Sequence, residues 1–178
     1  MAESSMTGGA LLSSDGRYRY SLWRLWAPGP RVAFVGLNPS TADATEDDPT
    51  IRRCLGFARA LGAGGLWMYN LCPFRATDPD AMLAWARTEG KSLWIDAGTS
   101  RSLLLERMET FSYVIAAWGA LNAYHRRGAW LIDYARKMER DVVDSGGQLH
   151  ALGVTAQGHP RHPLYLPASA KPEPWGCP

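Results

Sequence analysis

Apolar residues along this chain follow two alternating rhythms, short continuous runs and helical stripes. Residues 31–37 form a β-branched and aromatic run stopping at Gly36-Leu37-Asn38-Pro39, which predicts a buried strand ending in a tight loop. Residues 66–71, 113–118 and 149–154 repeat the pattern as three further strands, and the run at 113–118 closes at Gly119. Between them lie helical signals. Asp48-Pro49-Thr50 supplies a cap and a first-turn proline ahead of a helix over 51–61, which Gly62-Ala63-Gly64-Gly65 closes. Residues 72–79 read as loop, and 81–87 and 92–108 as helical. Residues 120–140 carry Leu121, Tyr124, Leu131, Tyr134 and Met138 at helical spacing, interrupted at Gly128, which predicts one or two helices.

The ends of the chain look less regular. Residues 1–15 are small, polar and Gly/Ser-rich and are expected to be disordered up to the turn at Asp15-Gly16. Residues 17–26 alternate aromatic and polar positions, suggesting a short strand or hairpin before Ala27-Pro28-Gly29-Pro30. Pro160, Pro163, Pro167, Pro172 and Pro174 leave the tail as extended loop. Strands separated by helices imply right-handed crossovers. The expected fold is therefore α/β: a three-layer α/β/α sandwich around a central, mostly parallel four-stranded sheet. It forms one domain over residues 16–178. In such sheets ligands bind beyond the carboxyl ends of the strands, which gathers the loops starting at Asn38, Asn70, Gly119 and His159.

Composition narrows the function classes. The 178 residues are 46% hydrophobic, ordinary for a globular chain, and no apolar run approaches the roughly 20 residues of a membrane span. Residues 1–10 lack the basic start and apolar centre of a secretory signal, so a cytoplasmic protein without membrane attachment is expected. Cys54, Cys72 and Cys177 are odd in number and widely spaced, and are expected to be free thiols. A net charge of +2 tolerates a nucleic-acid partner without requiring one. Phosphate loop, dinucleotide fingerprint, nucleophile elbow and zinc-helix motifs are all missing from the sequence, so no common cofactor is indicated. The acids Asp43, Glu46, Asp47 and Asp48 read as a solvated cap region rather than a metal site. What remains is an amide at the end of each of two strands and two histidines after another.

Those residues resemble a known family. Residues 32–40, Val-Ala-Phe-Val-Gly-Leu-Asn-Pro-Ser, are similar to the first motif of the uracil-DNA glycosylase superfamily, in the form found in its mismatch-specific and single-strand-selective branches. Tyr69-Asn70-Leu71-Cys72-Pro73 resembles the second-strand segment of the single-strand-selective branch. The run ending Trp118-Gly119 resembles the third-strand pattern, and His159-Pro160 and His162-Pro163 resemble the His-Pro-Ser-Pro motif after the last strand. The stretches 40–43, 47–53 and 158–167 also look like a bacterial and phage family catalogued as domain of unknown function 1643.

The first resemblance implies a monofunctional DNA glycosylase of base excision repair, needing no cofactor. It would act, as a monomer, on uracil or a related damaged base flipped out of single- or double-stranded DNA. Asn38 cannot ionise, but its carbonyl oxygen can orient a water against the sugar carbon. His159 or His162 would donate to the base oxygen as negative charge collects there. Asn70 would read the base edge beside Gly36 and Leu37, and Phe74, ahead of Phe57 and Tyr69, would stack on the ring. Ser40, Thr41, Arg161 and Arg53 would hold DNA; Arg52 and Arg53 oppose the dipole at a helix start, which calls for a phosphate or an acid such as Asp47 or Asp48. His125-Arg126-Arg127 reads either as a basic surface touching DNA or as a solvated helix face. No lysine lies in the four glycosylase-like motifs, so no lyase step is expected. Two features depart from the glycosylase pattern: Asn38 stands where the fastest branch has aspartate, and Arg161-His162 where Ser-Pro is usual. Two other functions stay open: a non-catalytic binder of modified or single-stranded DNA, and a hydrolase of free nucleosides or nucleotides.

Overall fold

The buried runs are strands in the computed structural model, which describes residues 6–88, 90–121 and 129–178. In chain order the elements are β1 (Thr7–Leu12), β2 (Arg19–Leu25), β3 (Arg31–Gly36), α1 (Pro49–Ala60), β4 (Gly65–Asn70), α2 (Pro79–Thr88), α3 (Gly90–Leu105), β5 (Phe111–Ala116), α4 (Ala129–Asp144), β6 (Leu149–Ala151) and β7 (Glu173–Pro174). All seven strands join one sheet, ordered β1-β2-β4-β3-β5-β6-β7. The inner pairs β3/β4, β3/β5 and β5/β6 are parallel; β1/β2, β2/β4 and β6/β7 are antiparallel. The sheet is thus mixed and seven-stranded, which corrects the expected four-stranded, mostly parallel one.

Side-chain alternation on the central strand explains the layering. Val32 and Phe34 pack with Ile51, Leu55 and Phe57 of α1 on one face. Ala33 and Val35 pack on the other with residues of α2, α3 and α4, among them Met82, Leu104 and Met138. A strand buried on both faces has no polar position to spare, which is why residues 31–37 read as a continuous apolar run.

The additional strands come from segments whose composition looked irregular. Residues 7–12 were expected to be disordered, yet they pair with β2 from Thr7↔Leu25 to Leu12↔Arg19. The glycines there serve close approach rather than freedom. A Cβ on Gly9 would lie 2.2 Å from the Trp23 ring and one on Gly8 2.7 Å from Arg24 Cδ. In the tail, Glu173–Pro174 borders β6, and the Trp175 amide donates to Leu149 O at 2.8 Å.

Helix α1 matches its sequence signal. The Asp48 carboxylate accepts from the Ile51 amide at 2.8 Å, with Pro49 in the first turn. Gly62, at φ +73°, turns the chain out of the helix in the left-handed conformation that favours glycine. Helix α4 begins at Ala129; residues 122–128, including Tyr124 and the His125-Arg126-Arg127 basic segment, lie outside the described residues.

Candidate active site

Strand β3 is the point where the chain winds both ways, to β4 on one side and to β5 on the other. Beyond the carboxyl ends of these strands lies a cavity of about 610 Å³. Its walls include Gly36, Leu37, Asn38 and Ser40 after β3, Asn70 at the end of β4, Trp118-Gly119 after β5, and Arg161 and His162 from the loop after β6. This is the crevice expected of a sheet with such a switch point. Backbone bonds close its rim: Leu71 N donates to Gly36 O, Cys72 N to Leu37 O, and Ala76 N to Pro39 O, each at 2.9 Å.

The side-chain amide of Asn38 is oriented by its partners. Nδ2 donates to Ala76 O at 2.7 Å and to Pro39 O at 3.1 Å. Two carbonyl acceptors demand the amino end of the amide, so Oδ1 is the end left for the cavity. Asn70 is 2% exposed, and its Oδ1 accepts from Arg19 Nη2 at 3.4 Å. Its Nδ2 sits over Gly36, 2.8 Å from where a Cβ would be.

Of the two histidines, His162 lines the cavity and His159 does not. The His159 backbone is instead tied into a turn with Thr155, its amide donating to Thr155 Oγ1 at 3.2 Å and its carbonyl accepting from Thr155 N at 2.8 Å. His162 caps the 3-10 turn Pro163–Tyr165, its Nδ1 accepting from the Leu164 amide at 3.3 Å. That bond places the proton of the neutral ring on Nε2. Burial lowers the pKa of His162 from its usual value, with the Asp48 charge acting in the opposite direction. A neutral imidazole with an Nε2–H donor results at pH 7.

Three other expected site residues lie outside the cavity wall. Phe74 does not line the cavity. It stacks on Trp85 at 4.6 Å with planes 3° apart and meets Tyr18 edge-on at 6.1 Å, so one face of its ring is covered by protein. The alternatives Phe57 and Tyr69 are core residues. Arg53 donates to the Leu166 carbonyl and lies 4.9 Å over the Phe57 ring, which ties α1 to the last loop. Thr41 is exposed and outside the cavity wall, whereas Ser40 is part of it. Arg52 finds compensation in the Asp47 carbonyl, as its unfavourable place at a helix start requires.

The acidic loop is held from β2. Arg24 pairs with Asp47 at 2.9 Å and donates to Asp43 O at 2.8 Å, while Arg19 donates to Ala42 O at 2.7 Å. Asp43 Oδ1 accepts from the amides of Thr45 and Glu46, both at 2.9 Å. Among the described residues no group of three or more His, Cys, Asp or Glu is placed to hold a metal ion, and no helix is long and apolar enough to cross a membrane.

Sequence reasoning missed Arg19, Asp48, Trp118 and Tyr165 as wall residues. Arg19 was missed for a topological reason. Strand β2 runs antiparallel to β4 with Leu22 opposite Met68, so its first residue arrives at the carboxyl end of β4. Only 2% exposed, Arg19 has its pKa lowered to about 10, chiefly by burial, and it stays charged at neutral pH. Nothing local in the sequence marked it, because the register of β2 against β4 is what places it.

No curated protein and no solved structure matches the chain. A family profile does, over residues 19–164, a span that runs from Arg19 through His162 and takes in the cavity wall up to Leu164. The chain belongs to the family described as protein of unknown function DUF1643.

Proposed function

We propose that this protein is a monofunctional DNA glycosylase that hydrolyses the N-glycosidic bond of uracil or a related damaged base flipped into the cavity. The observation carrying this reading is that Asn38, Asn70 and His162, three residues of its glycosylase-like motifs, line one cavity. A volume of about 610 Å³ is sufficient for a flipped nucleotide.

The chemistry follows from the donors and acceptors. The bond between sugar carbon and base nitrogen breaks with its electron pair going to the base, leaving positive charge on the sugar. The Nε2–H of a neutral His162 donates to the base oxygen that gathers negative charge, without itself giving up the proton. A water accepted by Asn38 Oδ1 adds to the sugar carbon, and the proton it sheds ends on the departed base. Asn38 positions that water and does not deprotonate it. In this reading Tyr165, an exposed aromatic side chain of the wall, replaces Phe74 as stacking partner, and Arg161 and Ser40 serve the DNA backbone.

The test is a uracil-containing oligonucleotide, single- or double-stranded, incubated with the protein and then treated with alkali. Strand cleavage is expected, and its loss in Asn38→Ala. A second reading, hydrolysis of free nucleosides, is favoured by Arg161 being the single exposed cation of the wall among the described residues. Base released from deoxyuridine but not from DNA selects it, and binding to DNA without release of any base leaves a binding module.

A further inference from the structure

Arg19 contributes a buried positive charge to the cavity wall, and its surroundings limit what that charge can be for. It forms no ion pair among the described residues, and its Nε is buried without a hydrogen-bond partner. Burying a guanidinium this incompletely satisfied is unfavourable unless it has a use. Its two recorded bonds go to Ala42 O, in the loop after β3, and to Asn70 Oδ1, at the end of β4.

The second bond has a consequence for recognition. A guanidinium carries only donors, so the end of the Asn70 amide facing it must be oxygen. The amino end then points the other way, over Gly36 and toward the cavity, where no protein acceptor meets it among the described residues. Reversing the amide would set Nδ2 against the guanidinium and leave two donors face to face in a buried site.

We infer that Arg19 is a positioning residue that locks Asn70 with its amino group toward the ligand, so that the cavity selects a heterocycle presenting a carbonyl oxygen there and rejects one presenting an amino group. The ligand is taken to be a nucleobase, so the inference rests on the base-binding part of the reading above, but not on catalysis. The nearby positive charge strengthens the same preference, because it favours an oxygen that carries partial negative charge. Asp48, the buried acid of the same wall, gives its Oδ1 to the cap of α1.

Nuclear magnetic resonance on the full chain tests this in two steps. In the unliganded wild-type protein, the Asn70 side-chain amide protons are expected to show a cross-relaxation signal to the Gly36 α-protons. Its absence would mean that the amide is not held as described. Titration with free uracil and free cytosine should then show tighter binding of uracil by about tenfold or more, since cytosine sets an amino group against Nδ2. In Arg19→Met the ratio should fall toward one, and in Arg19→Lys, which retains a donor and a charge, most of it should persist. A loss of folding quality would weaken both ligands together and leave the ratio unchanged. Equal affinities in the wild type, no saturable binding of either base, or an unaltered ratio in Arg19→Met each overturns the inference. Should Arg19→Met fail to fold, the wild-type signal and the wild-type ratio still decide it. A preference for uracil that depends on Arg19, in a protein that releases no base from DNA, would uphold this inference while removing the glycosylase reading.

Discussion

Gly36 lies directly beneath the side-chain amide of Asn70, so close that a Cβ on the glycine would stand 2.8 Å from Nδ2. Its backbone is not in the left-handed region, so space rather than conformation requires glycine here. Gly36→Ala should push the Asn70 amide away from its place in the wall. The cost to stability is expected to be about 1–3 kcal/mol, read from urea unfolding. Binding of uracil should weaken by at least tenfold, beyond what stability explains. Retained affinity would mean that Asn70 does not meet the ligand.

Asn38 spends both hydrogens of its amide on the carbonyls of Ala76 and Pro39. A carboxylate has no hydrogen to offer and would face two carbonyl oxygens. Asn38→Asp is therefore expected to lower stability by about 1–3 kcal/mol and not to accelerate base release. Thermal unfolding together with the oligonucleotide assay checks both parts. A faster and equally stable variant would show that these carbonyl contacts do not govern the side chain.

His162 should titrate below its ordinary value of 6.5, because burial disfavours the imidazolium more than Asp48 favours it. Between the folded value and 6.5 the unfolded chain binds more protons than the native one. The stability associated with the neutral ring is thus complete above pH 6.5 and is lost as the pH falls through the folded value. A ring-proton titration of His162 should give a midpoint under 6.5. Base release should remain flat from pH 7 to 8 as far as this group is concerned, and a midpoint above 6.5 would contradict the neutral donor.

Asp48 caps α1 through the Ile51 amide. Asp48→Ala should destabilise the protein by about 1 kcal/mol, or roughly 2–4 °C in melting temperature for a chain of this size. Asp48→Asn keeps a side-chain oxygen for the cap and should recover most of that loss. Removing the carboxylate also takes away the charge that raises the pKa of His162, so both variants should shift its titration further down.

Phe74 belongs to a packed aromatic group with Trp85 and Tyr18. Phe74→Leu is expected to cost about 1 kcal/mol and to leave base affinity within twofold of wild type. A large affinity loss at unchanged stability would return Phe74 to the binding site.

Much of this arrangement was legible in the chain itself. Continuous apolar runs marked β3, β4 and β5 because strands covered on both faces admit no polar position. Asp48 and Pro49 marked the start of α1, because capping is chemistry between residues three apart. Asn38, Asn70 and the pair His159 and His162 stood out because each ends or follows a strand, and parallel strands present their carboxyl ends on one side. Local sequence was silent where contacts come from far away. Gly8 and Gly9 read as disorder until Trp23 and Arg24 lay against them. Phe74 read as a loop aromatic until Trp85, from a later helix, covered it, and His159 was indistinguishable from His162 until the loop closed on Thr155. Arg19 was one charged residue among many, and only the antiparallel course of β2 carried it to the carboxyl end of β4. Local patterns determine which elements form, because capping and alternation act within a few residues. Which side chains meet in the cavity was decided by strand order and direction, because those set the neighbours of residues such as Arg19 and Asn70, fifty-one positions apart.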